Sequence, residues 1–306
     1  MENWRRNPLV FWVIGLPPTV WLVVFFLAPL SLIWLLSFGE KRGIVDIEIT
    51  WVLDNYARAF DPLYLQIFAK SLWMAGITTL ICLAIGFPIA LFITFAPQRW
   101  KPWLLLLIIL PFWTNLLIRT YALIAVLRTR GYGNFALEWL WDQGNWLLTL
   151  VGLGEFQLLG EKFEPLVLLY NNTAVVFGLV YVHLPFMVLP LYAALDRLDR
   201  SYIEASLDLG AGHLRSFASI VVPLAKAGII SGIIITFIPA LGSFLTPDLL
   251  GGTDSQMIAN VIERQFKSAN DWPFGAALSF ILMYATFLAL AVRAMMSRGG
   301  SATEAG

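Results

Sequence analysis

The 306-residue chain is poor in charge: 13% of its residues are charged, and its 20 Lys and Arg balance its 20 Asp and Glu. Sparse and balanced charge offers no field that would gather nucleic acid. Cysteine is nearly absent. With Cys82 alone, neither an internal disulfide framework nor a Cys-rich metal site can form. The two histidines, His183 and His213, lie far apart in the chain. There is no G-x-x-x-x-G-K-[ST] loop to cradle phosphates, no H-E-x-x-H pair and no paired-carboxylate constellation. No catalytic residue, metal or cofactor is therefore expected of this chain. What it has in excess is apolar surface. Hydrophobic residues make up 59% of it, 13 of its residues are Trp, and its mean hydropathy is +0.75. That composition belongs to a polytopic membrane protein whose constant partner is lipid.

Six runs are long enough to cross an apolar slab about 30 Å thick, which takes about 20 helical residues. They fall near 10–38, 67–95, 103–127, 174–195, 227–247 and 274–292. The first follows Arg5 and Arg6 and lacks a small-residue cleavage pattern, so it reads as an anchor and not as a signal peptide. The patch WLLTLVGLG at 146–154 is too short to span; it is expected at the membrane interface or packed within a long loop. Basic residues are denser in the short segments on the N-terminal side, among them Arg99, Lys101, Arg197, Arg200, Arg215 and Lys226. The positive-inside rule then puts both termini in the cytoplasm. Three long loops, 39–66, 128–173 and 248–273, face outward and hold 14 of the 20 acidic residues. They serve either as a solvated surface or as a dock for an extracytoplasmic partner.

The inner segment 196–226 interrupts the apolar pattern. Ser201 and Glu204 have the spacing of an S-x-x-E capping box opening a short helix, and Gly210 is placed to end it. Leu214, Phe217, Ile220 and Val221 then recur at helical spacing up to Pro223. The expectation is a cytoplasmic helix-turn-helix with one apolar side, a handle for something outside the chain.

The six runs hold no Asp or Glu. Carriers driven by protons or sodium usually keep a carboxylate in the membrane, because so costly a group is retained for a relay. The chain is then a passive channel, a scaffold, or one half of a pump whose motor is another polypeptide. The handle favours the last. Glu204, Ala205, Ser206, Gly210, Ile220, Val222 and Pro223 follow the spacing E-A-A-x3-G-x9-I-x-L-P, with Ser206 for the second Ala and Val222 for Leu. This resembles the EAA loop in permease subunits of bacterial ATP-binding cassette importers. PFWTNLLIRTYAL at 111–123, RGYGN at 130–134, HLPFMVLPLY at 183–192, PDLLGG at 247–252 and DWPFGAA at 271–277 extend the likeness. They resemble the first of the two membrane subunits of the spermidine/putrescine type, over about Asp54 to Arg293. The outer loop 135–170 is longer than that family leads one to expect, and His183 stands where an aliphatic residue is expected.

The resemblance implies an all-α integral membrane protein of six transmembrane helices with the MetI-like importer permease fold and a cytoplasmic EAA coupling loop. Residues 1–66 would form the N-terminal tail, first span and first outer loop, residues 67–295 the five-helix permease core, and 296–306 a short cytoplasmic tail. It further implies a bacterial inner-membrane complex with a second homologous permease subunit, two ATPase subunits and an extracytoplasmic substrate-binding protein. Glu204, Ala205, Ser206, Gly210 and Pro223 would couple to the ATPase, whose closure rocks the core helices. Polyamines are the substrate implied; ferric iron, thiamine or oxyanions are the alternatives.

Residues that meet a cation in transit are sought near mid-depth. Pro111, Trp113 and Asn115 lie about 12 to 18 Å into the third run by helical rise. A proline there frees backbone that is tolerated only under protein or beside a water-lined cavity. Trp113 offers a ring face to an alkylammonium, and Thr114 and Asn115 offer acceptors; helix packing is the competing role. Asp248, in a tight loop after the fifth run, is the nearest carboxylate to an outer gate, or simply stabilises its turn. Arg119, about 24 Å along the third run, is expected at the outer headgroup level, with gating as the alternative. His183 is expected to bond a neighbouring helix as neutral imidazole in preference to relaying protons.

Overall fold

The computed structural model describes residues 8–43, 46–150, 162–199 and 201–302. In chain order the helices are α1 (Pro8–Leu22), continued by a π-helical turn (Val23–Leu27) into α2 (Ala28–Leu36); α3 (Asp54–Ala59); α4 (Pro62–Phe95); α5 (Lys101–Ile109), followed by a 3-10 turn (Leu110–Trp113); α6 (Leu116–Leu127); α7 (Tyr132–Leu150); and α8 (Asn172–Leu195). Then come α9 (Ser201–Asp208); α10 (His213–Ser216), a π turn (Phe217–Val221) and α11 (Val222–Leu224); α12 (Lys226–Leu241); α13 (Leu245–Leu250); α14 (Ile258–Lys267); and α15 (Trp272–Ala302). Among the described residues the only strands are β1 (Gly39–Lys41) and β2 (Ile47–Ile49), an antiparallel hairpin pairing Gly39 with Ile49 and Lys41 with Ile47. The all-helical expectation holds apart from this short hairpin.

Among the described residues four helices are long and apolar enough to cross a membrane: Trp12–Leu36, Pro62–Phe95, Asn172–Leu195 and Trp272–Ala291. Two bent pairs bring the number to six if each counts as one span. The third run is thus not one straight helix over 103–127. Lys101–Trp113 meets Leu116–Leu147 at 93°. The cause is local: Pro111 has no N–H to give to the turn before it, and Thr114 and Asn115 are extended, at ψ 146° and 136°. The fifth run also ends early. α12 stops at Leu241, with Pro239 in its last turn and Gly242 as its cap, and residues 245–250 form the separate α13. The patch at 146–154 is not an isolated segment: 146–150 closes the 19-residue α7, and 151–154 lie outside the described residues.

The chain forms two compact units, residues 1–65 with 261–306, and residues 66–260. In the first, the loop after α2 is tied down by side chains. Asn55 Nδ2 donates to the carbonyls of Ser37 and Gly39, and Lys41 Nζ donates to the Ala269 carbonyl at 2.7 Å. Arg58 pairs with Asp271 at 2.8 Å and lies 3.9 Å over the Phe274 ring. In the second unit, α8 is the centre. Small residues let its neighbours approach closely: a Cβ on Gly228 of α12 would strike Ala194, one on Gly232 would lie 2.7 Å from Met187 Sδ, and one on Gly86 of α4 would lie 3.2 Å from Met187 Cγ. The core so formed contains Cys82, Ala90, Ile93, Met187, Val188, Leu191 and Leu195. Cys82 is the small buried residue its apolar run suggests.

Candidate functional site

The handle forms as two helices meeting at a glycine, with one change in its start. Ser201 is already helical and is not the cap; its backbone N–H is accepted by Asp199 Oδ1 at 3.0 Å. That carboxylate is the side-chain acceptor at the start of α9, and Glu204 is exposed to solvent. The same bond holds the Asp199 carboxyl below its ordinary value. Because that pKa is depressed, the contribution is present at neutral pH and is lost as pH falls through the lowered value.

The end of α9 is as expected. Gly210 has φ +82°, Ala211 N–H donates to the Ser206 carbonyl at 3.1 Å, and Gly210 N–H donates to the Leu207 carbonyl at 2.9 Å. These two bonds define a Schellman closure. A further bond joins the arms: Ser206 Oγ and Ser216 Oγ lie 2.6 Å apart, both buried. Ser206, the departure from the E-A-A spacing, is thus the residue that clasps α9 to α10. Ile203, Phe217 and Val221 turn towards the core, and Phe217 meets Phe87 of α4 edge-on at 5.4 Å. Leu214 does not join them. It is 86% exposed, and Leu209 is 88% exposed, so two large apolar side chains flank Gly210 at the tip. Ala205 and Pro223 are also exposed, and the chain turns by 67° between His213–Leu224 and α12.

The break in the third span forms an elbow. Trp113 is 75% exposed, so its ring is free for contact. The acceptors beside it are already engaged. Asn115 Oδ1 accepts the Leu117 N–H at 2.8 Å as the N-cap of α6, and Thr114 Oγ1 donates to the Pro111 carbonyl at 2.7 Å. Arg119 is 8% exposed and turns back along α6 to donate from Nη2 to the Thr114 carbonyl at 3.2 Å. Its Cζ is 6.0 Å from the Phe112 ring centroid, while Nε and Nη1 are buried and have no hydrogen-bond partner among the described residues. Helical rise gives the depth of a Cα; it does not show which way a long side chain folds. Phe112 meets Phe186 edge-on at 5.3 Å, and Phe186 neighbours His183 at 6.0 Å. His183 Nδ1 bonds the Leu179 carbonyl at 2.8 Å, within α8 and not to a neighbouring helix. Asp248 is exposed in the first turn of α13 and not in a loop. Thr246, Pro247 and Leu250 are the buried side of that helix, which packs on α6 and α8. Arg119 is named from the sequence with gating only as the alternative, and Ser216 is missed as a site residue. An arginine inside an apolar run is the available signal for the first; Ser216 gives none.

Residues 5–298 match the family described as binding-protein-dependent transport system inner membrane component. The chain is 39% identical to the spermidine/putrescine transport system permease protein PotB of Salmonella typhimurium, over 96% of its own length and 94% of that protein. It is 41% identical to PotB of Escherichia coli K12, over 91% and 94%, and 30% identical to the inner membrane ABC transporter permease protein YdcU of the same organism, over 95% and 91%. Among solved structures, a bacterial ABC transporter importing the acidic polysaccharide alginate superposes with a TM-score of 0.69 at 15% identity, over 97% of each chain. That likeness speaks for the fold alone. Together with an apolar helical core and a handle of the EAA spacing, the match along nearly the whole length means that this chain belongs to the family of binding-protein-dependent transport system inner membrane components.

Proposed function

We propose that the chain is the permease subunit of a polyamine importer, carrying spermidine and putrescine across the bacterial inner membrane on ATP hydrolysed by a separate subunit. The observation that carries this reading is identity near 40% to spermidine/putrescine permeases along almost the full length of both chains. A second homologous permease completes the path, two ATPase subunits take the handles, and an extracytoplasmic binding protein delivers the substrate. Both termini and the handle 196–226 lie in the cytoplasm, consistent with the density of basic residues in the inner segments.

The handle's chemistry suits this role. Leu209 and Leu214, exposed on either side of Gly210, provide the apolar tips that fit a groove on a partner, and Glu204 and Ala205 stand in solvent beside them. Ser206 and Pro223 belong to the frame: the first clasps the two arms, and the second sits in α11 before the turn into α12. A pull on the tip therefore reaches α12, and through its close contact with α8 reaches the core. Trp113, Thr114 and Asn115 form the cation's waypoint, and Asp248 attracts it at the outer end. Labelled spermidine and putrescine should enter cells carrying this chain with its partners and not cells lacking it. Equal uptake by the two would end the assignment.

A further inference from the structure

A buried arginine with unfilled donors is an expensive thing to keep in a membrane-spanning segment, because a charge out of water needs acceptors around it. Arg119 has one, the Thr114 carbonyl, while Nε and Nη1 have none. Its direction adds to the cost. The guanidinium lies against the residue that precedes the α6 cap, at the helix end where the macrodipole disfavours a cation.

Its surroundings match what an alkylammonium would want: a flexible alkyl stem ending in a cation, beside an aromatic ring at 6.0 Å, donating to a backbone carbonyl at 3.2 Å. The same elbow exposes Trp113 next door. Two acceptors there that could receive a passing ammonium are otherwise engaged, Asn115 Oδ1 by the Leu117 N–H and the Thr114 carbonyl by Arg119.

Resting on the polyamine reading above, we propose that Arg119 is a resident cation. In this conformation its guanidinium holds the place at the elbow that an alkylammonium would take, closing it to passive flow, and the substrate passes only when the elbow moves and Arg119 gives up the Thr114 carbonyl. A site built this way binds its cargo weakly enough to release it, the requirement on any conducting path.

The test uses the complete complex in proteoliposomes, with spermidine and putrescine as probes. Without ATP, Arg119→Gln should leak polyamine where the wild type does not. With ATP, its apparent KM should fall about fivefold, the change expected when a competitor worth about 1 kcal/mol is removed. Arg119→Lys keeps a cation on a flexible stem and should stay closed without ATP. A brace for the elbow predicts the reverse, a raised KM in both variants and no leak. An assembled Arg119→Gln complex with unchanged leak and KM would overturn the proposal, as would failure of both variants to assemble. If the wild-type complex itself imports no polyamine, it is the substrate reading that has failed.

Discussion

At Ser206 the chain places a hydroxyl where the E-A-A spacing has alanine, and the partner it finds, Ser216, lies ten residues on across the hinge. A buried hydroxyl bond is worth about 1 kcal/mol net, and stranding one partner costs about 1–3 kcal/mol. Ser216 can still reach the Gly212 carbonyl at 3.3 Å, which softens its loss. Ser206→Ala and Ser216→Ala should each lower the stability of the purified complex by about 1 kcal/mol, and the double change should cost less than their sum. Thermal midpoints of the four proteins measure this; strict additivity would mean that the pair does not act as a clasp. Trp113 makes the matching case at the elbow. Its exposure makes space-filling a poor account of the ring. Trp113→Leu should reduce polyamine uptake per assembled complex by up to about 30-fold if a contact worth about 2 kcal/mol acts at the limiting step. Trp113→Phe should retain part of it. Reduced assembly with normal uptake per complex would return Trp113 to a packing role.

Among the elements, those fixed by local chemistry are legible in the sequence itself. Gly210 ends α9 because only a residue without a Cβ takes φ +82° cheaply, and the acid, small and glycine positions around it announce a handle. A Cβ at Gly210 would meet nothing within 4 Å, so Gly210→Ala isolates the backbone cost, roughly 1–2 kcal/mol. The expected outcome is a frayed α9, faster amide exchange over 201–211 and a lower ratio of polyamine moved to ATP hydrolysed. An unchanged ratio would take the hinge out of coupling. The apolar runs 67–95 and 174–195 are equally plain, since their length alone selects a membrane helix. What hydropathy does not register is direction. It counts 103–127 as one run, although Pro111 and the extended Thr114 and Asn115 turn the chain by 93° within it. It also counts past Leu241 into α13, because both sides of the break are apolar. Partners brought together by folding are harder still: nothing near Ser201 says that Asp199 will accept its N–H, and nothing near Arg119 says that it will fold back on Thr114.

For the whole molecule, sidedness is the property on which all the rest depends, and the chain is well suited to having it measured. Its one cysteine, Cys82, is buried, so an introduced thiol reports without background. Leu209→Cys, at a tip position open to solvent, should react with a membrane-impermeant maleimide in inside-out vesicles and not in right-side-out ones. Adding the ATPase subunits should then shield it. Reaction from the outer face would invert the topology and dissolve the handle's role. The bend at 110–115 also has a consequence for how the molecule is made. Lys101–Trp113 is 13 residues, about 20 Å of helix at 1.5 Å per residue, against an apolar slab of about 30 Å. Such a stub cannot hold itself across lipid when it first emerges from the ribosome, and the unpaired backbone at its end has no partner there. Its stable insertion is then expected to depend on the helices that pack against it, α8 among them. Insertion of this stretch is therefore expected to be cooperative, with the kink making the nascent chain depend on its own later half.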